Sequence, residues 1–163
     1  MPGSLPAQIR ALILDMDGVL WRADTPIGDL PAIFSRIHQL GLKVVLATNN
    51  STRSVEQYVE RLHGFGVEVE AWQIVTSSQA AAYLMRKHLP DCKQVYVIGE
   101  NGLKQALLEG GFEPVFDSEP ASRLCAVVAG MDRQISYAKL QRATLLIRAG
   151  LPFYATNPDR TFP

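Results

Sequence analysis

A doubly wound α/β fold is the architecture this sequence predicts, and three observations predict it. Short apolar runs rich in Ile, Val and Leu recur along the chain, as in parallel strands buried on both faces. Segments with apolar residues at three- and four-residue spacing alternate with them, as crossover helices do. The first two runs end in polar clusters, "DMDG" and "TNNST", at the strand ends beyond which such folds bind ligands.

"ALILD" (11–15) is the first strand. In "IGDLPAIFSRIHQLG", Ile27, Leu30, Ile33, Phe34, Ile37 and Leu40 repeat at helical spacing and Gly41 supplies the stop. "LKVVLATNN" is the second strand. "STRSVEQYVERLHGFG" then puts Val55, Tyr58, Val59 and Leu62 on one helical face. "QIVTSS" (73–78) reads as a short strand running into a helix over 77–88. The alternation continues with strand 94–99, helix "NGLKQALLEG", strand 125–130, helix "SYAKLQRATLLIRAG" and strand 152–156. No tandem repeat or low-complexity tract interrupts it.

Composition excludes several classes of function. The 163 residues allow one domain or two small ones, and 47% hydrophobic with 20% charged residues describes an ordinary globular chain. Sixteen Lys and Arg balance sixteen Asp and Glu, so bulk charge argues against nucleic acid or anionic membrane as a partner. "MPGSLPAQIR" lacks the charged start of a signal peptide, and no window holds the ~18 apolar residues of a membrane span. The expectation is a soluble, cytoplasmic protein. Cys92 and Cys125 lack CxxC spacing and are expected to be reduced and buried. His38, His63 and His88 stand far apart, each in or beside a helical segment, and are read as solvated or packed side chains.

The chemistry concentrates at Asp15 and Asp17. Asp-Gly is a common turn pair, and "DMDG" superficially matches the opening of a calcium loop. That loop needs glycine at its sixth position and glutamate at its twelfth; counted from Asp15, Gly18 is fourth and Pro26 is twelfth. Two carboxylates this close need a cation between them, or one must hold a proton. Mg²⁺ meets the first need and shares its shell readily with phosphate oxygens. An ionised Asp can attack phosphorus, and a neighbouring carboxyl can protonate the leaving alcohol and then activate water. Gly18 lets backbone N–H groups approach a phosphoryl group. Thr48 and Asn49 can donate to phosphate oxygens ahead of a helix N-terminus.

"ILDMDGVLW" followed by "LATNNSTRS" resembles the first two motifs of the haloacid dehalogenase superfamily. "QIVTSSQAAA", "VYVIGENGL", "VVAGMDRQISYAKL" and "FYATNPDRTFP" extend the similarity to its 4-nitrophenylphosphatase-like branch, which includes phosphoglycolate, pyridoxal-phosphate, sugar-phosphate and nucleotide phosphatases. The resemblance implies a Rossmann-like core, of which residues 1–76 are the N-terminal half, and an α/β cap over 77–163. It implies Asp15 as nucleophile and Mg²⁺ ligand, and Asp17 as acid/base with its main-chain carbonyl on the metal. Thr48, Asn49 and Asn50 hold the phosphate beside Gly18. Asp132, Asn157, Asp159 and Phe162 face the substrate from the cap. A small phosphorylated metabolite is the implied substrate, and a homodimer through the cap is plausible from the family.

Family members also carry a third-motif Lys and a fourth-motif Asp pair after the cap. The chain stops at Pro163, so the expectation is an incomplete sequence, slow in turnover, from an active parent. A compact reading would use Lys104 and Asp132 for those motifs, but Lys104 falls in a helical segment and Ser136 stands where a second Asp is needed. A non-catalytic phosphate-binding or interaction protein and a mutase are the alternatives. A mutase would carry a small helical insert after the first motif, where only a short segment follows Leu20.

Overall fold

The computed structural model describes residues 8–115 and 120–159. Backbone contacts divide the chain into two compact units. One holds the described residues up to Thr48 together with Val55–Val75; the other holds Asn49–Ser54 and the described residues from Thr76 onward. The segment 49–54 thus groups with the second unit, although the sequence boundary falls between 76 and 77.

In the first unit β1 (Ala11–Asp15) is followed by a two-stranded ribbon, β2 (Trp21–Arg22) and β3 (Thr25–Pro26). Then come α1 (Leu30–Gln39), β4 (Lys43–Thr48), α2 (Val55–Gly64) and β5 (Ile74–Thr76). The sheet order is β1-β4-β5. β1 and β4 run parallel, with Ala11 beside Lys43 and Asp15 beside Ala47. α1 begins at Leu30 rather than near Ile27, because Gly28 turns at φ +76 and the Asp29 carboxylate accepts from the Ala32 N–H at 3.0 Å. Pro31 then sits in the first turn, where its missing N–H costs nothing.

Met16, Leu30, Leu46, Tyr58, Leu62 and Ile74 form the buried centre of this unit. They come from one face of the sheet and from the inner faces of α1 and α2. Side chains alternate along a strand, so the other face carries Ile13, which is 76% exposed, and Val75, at 43%. β1 pairs with β4 and with no other strand of the described residues. A groove of about 570 Å³ lined by Phe34, His38, Val44 and Trp72 lies at the start of β4, the opposite end of the strand from Thr48.

The second unit contains α3 (Ser77–His88), β6 (Gln94–Ile98), α4 (Asn101–Glu109), β7 (Glu113–Val115), β8 (Leu124–Ala129), α5 (Tyr137–Arg148) and β9 (Phe153–Ala155). Its parallel sheet has the order β7-β6-β8-β9. Both faces are covered, which is why β6 and β8 read as unbroken apolar runs. Met85, Leu103, Leu107 and Phe112 pack with Val95, Val97 and Val128 in one layer. Ala143 and Leu146 of α5 pack with Tyr96, Ile98 and Val127 in the other. A capping box opens α3: Thr76 Oγ1 accepts from the Gln79 N–H, and Gln79 Oε1 accepts from the Thr76 N–H at 2.9 Å.

One expectation is overturned here. Cys92 and Cys125 are not free thiols but a disulfide, with Cα atoms 5.8 Å apart and a sequence separation of 33. β6 and β8 are neighbours, and the pairing shifts register just after Gln94 so that Cys125 is the extra residue of a bulge. That brings it beside Cys92 on the lead into β6, a proximity that sequence spacing does not carry.

The fold is a parallel α/β sheet unit of the Rossmann-like type with a separate α/β cap. Among the described residues no helix is long and apolar enough to cross a membrane.

Candidate active site

Asp15 is the last residue of β1, beside Ala47 and one residue short of Thr48, the end of β4. Its side chain is exposed and has no hydrogen-bond or ion-pair partner among the described residues. An uncommitted carboxylate at the carboxyl edge of a parallel sheet is available to a cation or an electrophile.

The chain turns sharply after Asp15. Leu20 N–H donates to the Met16 carbonyl at 2.9 Å, and Gly18 N–H donates to the Trp21 carbonyl at 2.7 Å. Gly18 has φ +82, and a Cβ there would meet nothing within 4 Å. Glycine is needed for the left-handed backbone rather than for clearance, and its own N–H is spent inside the turn. The turn brings Trp21 back onto Asp17, whose Oδ1 accepts from the indole Nε1–H at 2.8 Å. Asp17 Oδ2 lies 3.5 Å from the Thr48 hydroxyl, which donates to it from a buried position. The sequence places Asp17 and Thr48 in separate motifs; the β1–β4 register joins them. The Trp21 contact was not foreseen. Its only sequence signal is an indole four residues after an aspartate across a glycine turn.

In the second unit, the segment 49–54 is held by close backbone approaches. Gly102 N–H donates to the Thr52 carbonyl at 3.1 Å, and Ser51 Oγ accepts from the Met131 N–H at 3.1 Å. Asn50 Oδ1 accepts from both the N–H and the hydroxyl of Thr52, at 3.0 and 2.7 Å, closing an Asx turn. Asn49 donates its amide to Asp159 Oδ2 at 3.1 Å, and its carbonyl accepts from the Ser77 hydroxyl at 2.9 Å.

Asn157 Oδ1 accepts from the Asp159 N–H at 2.8 Å, so Asn157, Asp159 and Asn49 form one connected group. Asp132 is committed elsewhere. Its carboxylate, 5% exposed, pairs with Lys139 Nζ at 2.7 Å and accepts from the Gln134 N–H at 2.9 Å, fixing the entry to α5. Phe162 lies outside the described residues.

At the carboxyl ends of β6 and β8, Glu100 and Arg133 form a two-pronged ion pair at 2.7 and 2.5 Å. The guanidinium bonds hold the Glu100 carboxyl at about 2, well below the usual 4.5. Sequence reasoning passed over this pair as well. Among the described residues no group of three or more His, Cys, Asp or Glu gathers as a metal cluster.

A parallel-sheet hydrolase fold, with an acidic couple on the strand edge and a cap joined after the second strand, is the class that this geometry defines. The chain belongs to the haloacid dehalogenase-like hydrolase family, whose model matches residues 12–113. Phosphoglycolate phosphatase 1A of Arabidopsis thaliana is 37% identical over 169 aligned positions, covering 93% of this chain. The acid sugar phosphatase of Staphylococcus aureus is 33% identical over 96% of it. The chain spans 47% and 58% of the lengths of these two relatives.

Solved structures agree. The p-nitrophenyl phosphatase of Archaeoglobus fulgidus superposes with a TM-score of 0.84 at 34% identity, over 97% of this chain and 58% of that one. The glycerol phosphate phosphatase of Mycobacterium tuberculosis, solved with magnesium, gives 0.82 at 30% identity, over 94% and 45%.

Proposed function

We propose that this protein is a Mg²⁺-dependent phosphomonoesterase acting on a small phosphorylated metabolite. The observation that carries the reading is the bare Asp15 carboxylate at the β1 edge, one register step from Thr48, with Asp17 held beside it by Trp21 and Thr48. The relatives named above are phosphatases of phosphoglycolate, sugar and glycerol phosphates.

The donors on offer suit magnesium. Mg²⁺ binds through one or two carboxylates, waters and substrate phosphate rather than an all-protein cage. The Asp15 carboxylate and the main-chain carbonyl of Asp17 would hold the ion, which would supply positive charge against the phosphate and the attacking carboxylate.

A carboxylate oxygen of Asp15 attacks phosphorus, and the bond from phosphorus to the ester oxygen breaks. That oxygen leaves with its electron pair and takes the proton of Asp17. Asp17, now ionised, takes a proton from water. The water oxygen attacks the phosphorus, the acyl-phosphate bond breaks, and Asp15 leaves as carboxylate. Thr48, Asn49 and Asn50 bind the phosphate oxygens, with the turn at Gly18 setting the approach.

Residues from 77 onward are the cap that selects the leaving group, with Asn157 and Asp159 at its substrate-facing edge. The exposed Tyr137, Leu140 and Leu145 of α5 support a homodimer through the cap. We assign the protein to the cytoplasm, where small phosphorylated metabolites turn over.

Asp15→Asn tests the assignment. Hydrolysis of p-nitrophenyl phosphate is expected to require Mg²⁺ and to be abolished in this variant. Wild-type turnover in Asp15→Asn contradicts the reading; phosphate binding without turnover in the unmodified protein favours a binding protein instead.

A further inference from the structure

We infer that Trp21 is a positioning residue for the acid step: its indole fixes the orientation of the Asp17 carboxyl. The inference rests on the proposed role of Asp17 and adds to it a group that the motif pattern does not assign.

An indole Nε1–H is a donor only. It points at Asp17 Oδ1 at 2.8 Å, while Oδ2 accepts from the Thr48 hydroxyl at 3.5 Å, so both oxygens are engaged and the plane of the carboxyl is set. A carboxyl without such partners rotates about its terminal torsion. Here one arrangement is selected before substrate binds, the pre-organisation that acid catalysis needs.

The selection holds only if the indole cannot follow Asp17, and its surroundings prevent that. Trp21 is 1% exposed. Its ring stacks against Tyr58 at 6.3 Å and 19°, and tilts against Phe65 at 5.8 Å. The Arg61 guanidinium covers it at 4.7 Å. Arg61 is itself held by the Ala23 carbonyl and by Asp24 at 3.4 Å. The backbone is pinned as well: Trp21 pairs with Pro26 across the β2–β3 ribbon, and its carbonyl accepts from Gly18. A buried ring held on its faces, edge and backbone aims one N–H at one oxygen.

The test exploits leaving-group chemistry. A nitrophenolate departs without a proton, whereas an alkoxide needs one, so loss of acid positioning slows alkyl esters selectively. Trp21→Phe keeps an aromatic ring in the stack and removes the N–H. It is expected to lower kcat for glycerol phosphate at least about tenfold more than kcat for p-nitrophenyl phosphate, with KM moving less than kcat. Equal losses on both substrates would mean that Trp21 only packs, and overturn the inference.

Asp17→Asn separates the two levels of the claim. If it shows the same selectivity and Trp21→Phe does not, the Trp21 inference alone fails. If Asp17→Asn shows none, the acid role of Asp17 fails first.

A reading independent of turnover is the indole proton in an NMR spectrum, with Trp72, 67% exposed, removed by Trp72→Phe. The Trp21 proton is expected downfield and to move upfield in Asp17→Ala; an unmoved resonance refutes the hydrogen bond.

Discussion

Gly102 offers the most direct stability test of how the second unit is assembled. It sits in the first turn of α4, buried, with its N–H donating to the Thr52 carbonyl. A Cβ built there falls 2.3 Å from the Arg53 carbonyl oxygen, 2.5 Å from its carbon and 2.7 Å from its nitrogen. These are backbone atoms and cannot swing aside, and ordinary contact begins near 3.4 Å. Gly102→Ala must therefore push the segment 49–54 away from α4 by about 1 Å. Overpacking of this kind costs about 3 kcal/mol, of which the better helix propensity of Ala returns about 1 kcal/mol. The net loss of about 2 kcal/mol lowers Tm by about 4–8 °C in a chain of this size. Gly64→Ala is the matched control, since it lies in α2 with nothing within 4 Å of its Cβ; it is expected to be neutral or slightly stabilising. Thermal denaturation followed by circular dichroism reads both. A Gly102→Ala protein that melts with the wild type would refute the close docking of 49–54 on α4, and with it the placement of Asn49 and Asn50.

Three further outcomes are expected. Glu100 is acidified by Arg133, so the pair contributes stability that is fully present above the unfolded carboxyl's pKa and is lost as pH falls toward about 2. Glu100→Gln is accordingly expected to cost about 1 kcal/mol at neutral pH, converging with the wild type near pH 2 in acid-unfolding curves. Reduction of Cys92–Cys125, or the double change to Ser, frees a loop with a sequence separation of 33 and is expected to cost the second unit about 3–4 kcal/mol in denaturant unfolding. Thr48→Val removes a buried hydroxyl that reaches Asp17; it is expected to raise KM for phosphate esters and leave the fold intact, and unchanged kinetics would take Thr48 out of the site.

What the sequence made legible was whatever depends on local pattern. β4, β6 and β8 are apolar through their centres because both faces or one deep face are buried, and α2 shows Val55, Tyr58 and Leu62 at helical spacing for the same reason. The acidic couple stands out in the sequence because two carboxylates beside a glycine have few uses. The two-residue strands of the Trp21–Pro26 ribbon are too short to show a period. β7 hides behind Pro114, which a sheet tolerates at an edge. The disulfide, the Glu100–Arg133 pair and the Asn49–Asp159 bond join residues 33, 33 and 110 positions apart. They follow from strand order, which residue spacing does not encode. Asp132, a candidate site residue from its sequence, pairs with Lys139 and accepts from Gln134 in the turn into α5.

The central claim is that Asp15 accepts the phosphoryl group. Asp17→Asn should slow release of that group more than its capture, so the protein can be mixed with p-nitrophenyl phosphate and Mg²⁺, quenched in acid and digested. Peptide mass spectrometry is predicted to find a phosphoryl adduct on Asp15 that vanishes in Asp15→Asn. An adduct on another side chain, or turnover with no adduct at any time point, would contradict the account.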